Sequence, residues 1–319
     1  MDEVLFIAWG TGGSEIYKEI FNLKGLDFKY STISASPYSK KILPNANQMD
    51  EDDVFRLIIR TSPELVITER SNGTDFHNKL TDICKAKGSK TLAITDFYFP
   101  KVADYSRLFK PKPDYVTSVS KASTRELKRL GFMEDQIYML GNPSYKKLEK
   151  IEYHPKYSKI PRVIYVSQGG GVNLYHYSNL DAFTEFYKHL EYEFENFSID
   201  IKLHPMELDY KDKWVRSIEH LKNINILNHI PGDEFMFNNL NNYDIMIGCY
   251  STMQIQAQLI GVPTIYSRDD IKYKLKQYKK RILGKDRNEY VFVPSKTEIE
   301  MVLNDVYRKV VKKRWVLWD

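Results

Sequence analysis

The sequence predicts an α/β fold built as two halves, each a parallel sheet with helices on both faces. Three observations carry that prediction. Short runs of β-branched and aromatic residues alternate with stretches of helical period along nearly the whole chain, the pattern of β-α-β units. The runs are apolar throughout, as expected of parallel strands covered on both faces. Turns of glycine or hydroxyl residues follow several of these strands and open the next helix, where open parallel sheets keep their ligand sites.

In the first half, Leu5–Ala8 reads as a buried strand that feeds Gly10-Thr11-Gly12-Gly13-Ser14-Glu15 and a helix to about Leu23. A glycine turn at a helix start lets backbone approach a ligand closely, although the spacing matches neither G-x-G-x-x-G nor the P-loop. Strand Phe28–Ile33, helix Asp50–Thr61 and strand Leu65–Thr68 follow, the last ending in Glu69-Arg70. Helix Phe76–Lys87 leads to strand Thr91–Thr95 and Asp96, then strand Tyr115–Ser118, helix Ser120–Leu130 capped by Ser120, and strand Ile137–Leu140. Gly141-Asn142-Pro143 closes this half, so domain boundaries are expected at 1–143, a polar lysine-rich linker at 144–161, and 162–319.

The second half repeats the alternation: strand Val163–Ser167, the run Gly169-Gly170-Gly171, helix Asn179–Phe194, strand Ile199–Leu203, helix Lys211–Leu221 and strand Ile224–Leu227. Its most informative stretch delivers Lys202, His204 and Pro205 at a strand end. It then places strand Asp244–Gly248, Ser251-Thr252, a helix of about a dozen residues, the turn Gly261-Val262-Pro263 and strand Thr264–Tyr266. Amides and hydroxyls at a helix start, with a cation and an imidazole from the neighbouring strand, suit phosphate. Tyr290–Val293 reads as a late strand, and Ser295–Val311 as a closing helix with Ser295 and Glu298 as a capping box.

Composition narrows the class. The chain has 319 residues, enough for two domains with separate cores, and at 42% hydrophobic and 28% charged it is neither disordered nor fibrous. Cys84 and Cys249 read as buried thiols of a reducing compartment. The acidic start enters a strand directly, the wrong order for a signal peptide, and no apolar run reaches the roughly 18–20 residues of a membrane span. A cytoplasmic location is expected. The net charge of +5 is concentrated between Lys272 and Arg287 and between Arg308 and Arg314. Both segments read first as solvated helix faces, with the inner face of an anionic membrane as the alternative. No nucleic-acid motif is present, so no nucleic acid is expected as partner. The seven histidines are scattered without zinc spacing, and no metal is expected.

Laid out in this way, the chain resembles a GT-B fold glycosyltransferase: two Rossmann-like domains with parallel sheets facing across a cleft. The resemblance spans nearly the whole length and rests on Gly10-Thr11-Gly12-Gly13, Tyr138-Met139-Leu140-Gly141-Asn142-Pro143, Val166-Ser167-Gln168-Gly169-Gly170-Gly171, and the D-x-x-I-x-x-x-S-T…A-x-x-x-G-x-P pattern from Asp244 to Pro263. The G-N-P ending and the last pattern are also similar to those of UDP-GlcNAc 2-epimerases. Lys202-Leu203-His204-Pro205 with Ser251-Thr252 resembles the H-P and serine motifs of bacterial sialyltransferases, Kdo-type capsule transferases and CDP-glycerol polymerases.

The resemblance implies a nucleotide-activated sugar as co-substrate, cytidine nucleotide preferred, and transfer without a metal to a saccharide or lipid-linked acceptor. Lys202, His204, Pro205, Ser251 and Thr252 would meet the phosphate, and Gly12, Gly13, Ser167, Gln168, Gly169 and Gly170 would let the ligand lie close to backbone. Gln256 departs from the pattern, standing where many members carry a ribose-binding glutamate, and this weakens the UDP-sugar and epimerase readings. A general base from the first half is expected among Asp96, Glu69 and Glu15, with Asp96 first because it sits among aromatics that raise its pKa. Asp75 and His77 are weaker candidates for acceptor contact, and Tyr175, His176 and Tyr177 for lining the cleft. The alternatives are a nucleotide-sugar epimerase or hydrolase of the same fold, and a non-catalytic nucleotide-binding module.

Overall fold

A computed structural model describes residues 4–70, 75–96, 109–168, 179–228, 230, 232–249, 251–266, 271–281, 283 and 292–315. The chain divides into two compact units, Met1–Lys146 with Glu289–Asp319, and Lys147–Asn288.

The first unit carries strands β1 (Val4–Ala8), β2 (Tyr30–Ser34), β3 (Asn47–Gln48), β4 (Leu65–Arg70), β5 (Lys90–Thr95), β6 (Tyr115–Ser118) and β7 (Ile137–Met139). They form a parallel seven-stranded sheet in the order β3-β2-β1-β4-β5-β6-β7. Helices α1 (Thr11–Ile20), α2 (Pro37–Ile42), α3 (Glu51–Thr61), α4 (Phe76–Ala86) and α5 (Lys121–Arg129) connect the strands. The entirely apolar β1 explains why both faces must be covered. Val4, Phe6 and Ala8 pack into one cluster with Ile16, Tyr17 and Ile20 of α1. Leu5 and Ile7 point the other way, against Val54 and Ile58 of α3 and Phe76 and Leu80 of α4, as the two-residue period of a strand requires. Local chemistry sets the helix starts. Asp50 accepts from the Asp53 amide at 2.7 Å, and Ser120 accepts from the Ser123 amide at 3.1 Å, as expected of that serine.

The second unit runs β8 (Arg162–Val166), α6 (Asn179–Glu193), β9 (Ser198–Lys202), a 3-10 helix (Pro205–Tyr210), α7 (Lys211–Ile218), β10 (Ile224–Ile226), α8 (Gly232–Asn238), β11 (Ile245–Gly248), α9 (Thr252–Leu259), β12 (Thr264–Ile265) and α10 (Ile271–Lys279). Its parallel sheet has the order β10-β9-β8-β11-β12. Phe183, Phe186 and Leu190 of α6 lie in one core with Tyr165, Ile199, Ile201 and Ile247.

Two boundaries differ from the sequence expectation. The stretch expected as a linker is occupied: Tyr153 donates to the Tyr243 carbonyl at 3.1 Å and Tyr157 to that of Leu283 at 2.6 Å, so residues from Lys147 onward pack on the second unit. The closing helix, α11 (Lys296–Trp315), belongs to the first unit, because Ile299, Leu303, Val306 and Val310 enter the cluster of Val4, Phe6 and Leu92. Its predicted capping box is present, the Ser295 amide donating to Glu298 at 2.7 Å and the Glu298 amide to Ser295 Oγ at 3.3 Å. Tyr290 and Val291 lie outside the described residues. Phe292 is not in a strand, although its amide bonds the Val119 carbonyl at 2.8 Å.

The basic segments find protein partners. Ile271, Leu275 and Tyr278 bury one face of α10, leaving Lys272, Lys276 and Lys279 in solvent with Lys279 paired to Glu193 at 2.8 Å. On α11, Arg308 pairs with Asp27, and the Lys309 ammonium lies 3.3 Å from Asp305 and 4.8 Å from the Tyr138 ring centre. No described helix is long and apolar enough to cross a membrane.

Leu303 is fully buried on α11, so Leu303→Ala is expected to lower unfolding free energy by about 2–5 kcal/mol in denaturant titration. A loss under about 1 kcal/mol would remove the C-terminal helix from the core of the first unit.

Candidate functional site

In the first unit the strand order reverses between β1 and β4, so the chain leaving β1 meets the ends of β4 and β5 at one point of the sheet edge. Glu69, the penultimate residue of β4, is buried there, and its Oε1 accepts from the Trp9 amide at 2.8 Å and from the Gly10 amide. Helix α1 has no cap from Gly10 itself, so this carboxyl serves the positive end of the helix. The glycines are explained by what faces them. A Cβ on Gly13 would lie 1.5 Å from Glu69 Oε2, and one on Gly12 would lie 1.8 Å from Asp96 Oδ2. The close approach expected of Gly12 and Gly13 toward a ligand is therefore made toward two carboxyls of the protein.

Burial pushes Glu69 up to about 8; the Gly10 amide opposes the shift and the Asp96 charge adds to it. Burial likewise holds Asp96 at about 6. At neutral pH Glu69 is mainly a carboxylic acid and Asp96 mainly a carboxylate, although both stand at the same sheet edge. Glu69 Oε2 is buried without a hydrogen-bond partner among the described residues. Glu15 lies partly exposed on α1.

Arg70 was not singled out by its sequence context, although a charge closing an apolar strand is a usable signal. It is buried, donating to Asn78 at 2.9 Å, to Thr81 at 2.7 Å and to the Pro111 carbonyl at 3.5 Å, and no carboxylate pairs with it among the described residues. His77 is a core residue instead of an acceptor contact. Its Nδ1 is 3.1 Å from Thr68 Oγ1, and burial, with Arg70 adding, lowers it to about 3. Asp75 is exposed at the start of α4.

In the second unit the reversal falls between β8 and β11. Ser167 Oγ accepts from the His204 amide at 2.7 Å, and the Ser167 amide donates to the Lys202 carbonyl at 3.1 Å, which stitches the ends of β8 and β9. Lys202 is buried, its ammonium 5.9 Å from the Phe235 ring centre, and burial lowers its pKa. No carboxylate pairs with it among the described residues. His204 is half-buried and shifted down by burial and then by Lys202, so it is neutral at neutral pH.

Ser251 caps α9, accepting from the Met253 amide at 3.4 Å, while its own amide donates to Gln254 Oε1 at 2.9 Å. The buried Gln254 donates onward to the Ile265 carbonyl at 2.7 Å, a positioning role that escaped sequence reasoning. Helix α9 is shorter than expected; Thr252 is exposed at its start, and Gln256 and Gln168 are partly buried. Pro205 opens the 3-10 helix. Gly169, Gly170, Gly171, Tyr175, His176 and Tyr177 lie outside the described residues. Among the described residues no group of three acidic, histidine or cysteine side chains is placed to hold a metal.

No protein-family model matches the chain, and no curated protein matches it in sequence. Solved structures do. A UDP-GlcNAc 2-epimerase of Methanocaldococcus jannaschii in complex with UDP-GlcNAc and UDP superposes with a TM-score of 0.67 at 15% identity, covering 95% of this chain and 99% of that one. The UDP-GlcNAc 2-epimerase of Neisseria meningitidis bound to UDP-GlcNAc gives 0.65 at 11% identity, covering 97% and 99%. The lipopolysaccharide outer core galactosyltransferase WaaB gives 0.60 at 11% identity, covering 97% and 98%. The fold is thus of the GT-B type, an α/β chain with two Rossmann-like parallel-sheet units. The narrower resemblance to cytidine-nucleotide transferases finds no support in these neighbours.

A carboxyl whose pKa is higher folded than unfolded binds more protons in the folded state, so stability falls as pH rises from about 4.5 to about 8. Glu69→Gln is expected to flatten that decline and to be the more stable protein at pH 9, by a few kcal/mol, in denaturant titrations across pH. An unchanged slope would show that Glu69 is not held protonated.

Proposed function

We propose that this chain is an enzyme acting on a nucleotide-activated sugar, with epimerase- or hydrolase-type chemistry in which the donor reacts without a separate acceptor. The carboxyl pair carries this reading: Glu69 at about 8 and Asp96 at about 6 offer an acid and a base at one sheet edge at the same pH. Inverting a carbon that bears hydrogen requires a base to remove the proton and an acid to return one, and hydrolysis requires the same pair for water and leaving group. Asp96 is the base and Glu69 the acid. The fold neighbours that hold UDP-GlcNAc support the substrate class.

On the second unit, the nucleotide phosphate is assigned to Lys202, His204 and Pro205 and to the start of α9 at Ser251 and Thr252. There a cation and helix amides offset the charge that a departing phosphate gains, with no metal invoked. Ser167 and Gln168 border this position, and Gln256 offers an amide to ligand hydroxyls. The likeness to WaaB favours a second reading, transfer to a saccharide or lipid-linked acceptor with Asp96 as base. Incubation of the enzyme with UDP-GlcNAc alone, followed by NMR, separates the two. An epimerised sugar or free UDP supports the first reading, and an unchanged donor that reacts only on addition of acceptor supports the second.

Two quantitative outcomes are expected. A panel of CMP, CDP, UDP, GDP and ADP at about 100 times Kd should stabilise the protein by roughly 2.7 kcal/mol for the matching base, read as a rise in Tm that His204→Ala or Lys202→Ala abolishes. Stabilisation by cytidine nucleotides alone would return the donor to the cytidine class, and no stabilisation by any nucleotide would refute the reading. Asp96→Asn and Glu69→Gln should each lower kcat about 10²- to 10⁴-fold without weakening nucleotide binding. The wild-type rate should rise through about pH 6 as Asp96 ionises and fall through about pH 8 as Glu69 does. A flat profile over that range would remove the pair from the chemistry.

A further inference from the structure

Beside the residues assigned to phosphate, the second unit holds a polar cluster that the proposed chemistry leaves unused. Asn179, the first residue of α6, is buried, and its Nδ2 donates to the Gln168 carbonyl at 2.5 Å and to Glu207 Oε1 at 2.6 Å. The buried Tyr165 on β8 fixes the start of α6 by donating to the Asn179 carbonyl at 2.9 Å. Glu207 is carried back toward the strand ends by a 3-10 turn, its amide donating to the His204 carbonyl at 2.8 Å. Both side chains are more than nine-tenths buried, at 2% and 5% exposure.

Two oxygens of this cluster, Asn179 Oδ1 and Glu207 Oε2, are buried and meet no hydrogen-bond partner among the described residues. Turning the amide over does not help, since Oδ1 would then face two acceptors, the Gln168 carbonyl and Glu207 Oε1. Leaving such oxygens unmatched is costly, most of all for a carboxylate, so the cluster calls for hydrogen-bond donors. The two oxygens sit on groups joined by one hydrogen bond, and the donors must be neighbours as well. A phosphate bears no such donors, and a pair of adjacent hydroxyls does.

We propose that Glu207, oriented by Asn179, accepts hydrogen bonds from vicinal hydroxyls of the bound nucleotide sugar, an inference that rests on the substrate class proposed above. The hydroxyls belong either to the ribose or to the transferred sugar. Titration calorimetry with UDP, 2′,3′-dideoxy-UDP and UDP-GlcNAc on the wild type, Glu207→Gln and Asn179→Ser distinguishes these sources. Glu207→Gln keeps the oxygen that Asn179 bonds and turns the free acceptor into a donor, so a purely structural tie survives it.

For a ribose diol, wild type should bind dideoxy-UDP about tenfold to hundredfold more weakly than UDP, and Glu207→Gln should bind UDP about as weakly and no longer tell the two apart. Asn179→Ser, which releases the anchor of Glu207, should erode the same discrimination. For a sugar diol, wild type should bind UDP and dideoxy-UDP alike, and both variants should lose the added affinity of UDP-GlcNAc over UDP. If UDP binds and neither ratio moves in either variant, the role of Glu207 is overturned and the proposed function stands. If wild type binds none of the panel nucleotides, both fall; if another base binds in place of UDP, the same comparison is made with that nucleotide and its 2′,3′-dideoxy form.

Discussion

The carboxyl of Glu69 takes the amides of Trp9 and Gly10 where β1 turns into α1, and much of the first unit follows from that contact. It places an acid at the positive end of a helix, a position where a carboxylate is ordinarily favoured, yet burial outweighs the dipole and keeps the proton on. It also dictates glycine at position 13, because any side chain there would occupy the space of the carboxyl, and Asp96 does the same at position 12. The glycine turn of this chain is thus moulded to two carboxyls of the protein, in contrast to the phosphate cradles that such turns form elsewhere.

The second unit uses the same edge of a parallel sheet with the opposite sign. Lys202 and His204 stand at the end of β9 with no carboxylate paired to the lysine among the described residues, and burial weakens the proton affinity of both. A buried cation without a counterion is costly to keep, and it suits a ligand that supplies the anion. Glu207 Oε2 and Asn179 Oδ1 hold the complementary shortage, acceptors without donors among the described residues. A nucleotide sugar carries both a phosphate and adjacent hydroxyls, so one ligand class answers both.

Much of the architecture could be read before any coordinates, since local chemistry writes it. The strands are apolar runs, Ser120, Ser251 and Ser295 stand where helices begin, and the Ser295–Glu298 box formed as its spacing predicts. What escaped was short or disguised. Helix α2 hides behind Pro37, which serves as its first residue, and α10 reads as a run of lysines unless Ile271, Leu275 and Tyr278 are seen to share a face. Glu207 carries no local signal, since nothing adjacent in sequence shows that Asn179, 28 positions earlier, reaches it.

Alternation, apolar runs and caps depend on neighbours within a few residues, and for that reason the chain alone declares a doubly covered parallel sheet, twice over. The return of α11 to the first sheet, the two carboxyls facing Gly12 and Gly13, the protonation of Glu69 and the unmatched oxygens of Asn179 and Glu207 belong to the folded molecule. Each depends on burial and on partners distant in sequence, because the cost of a charge or an unpaired acceptor is set by what surrounds it in space.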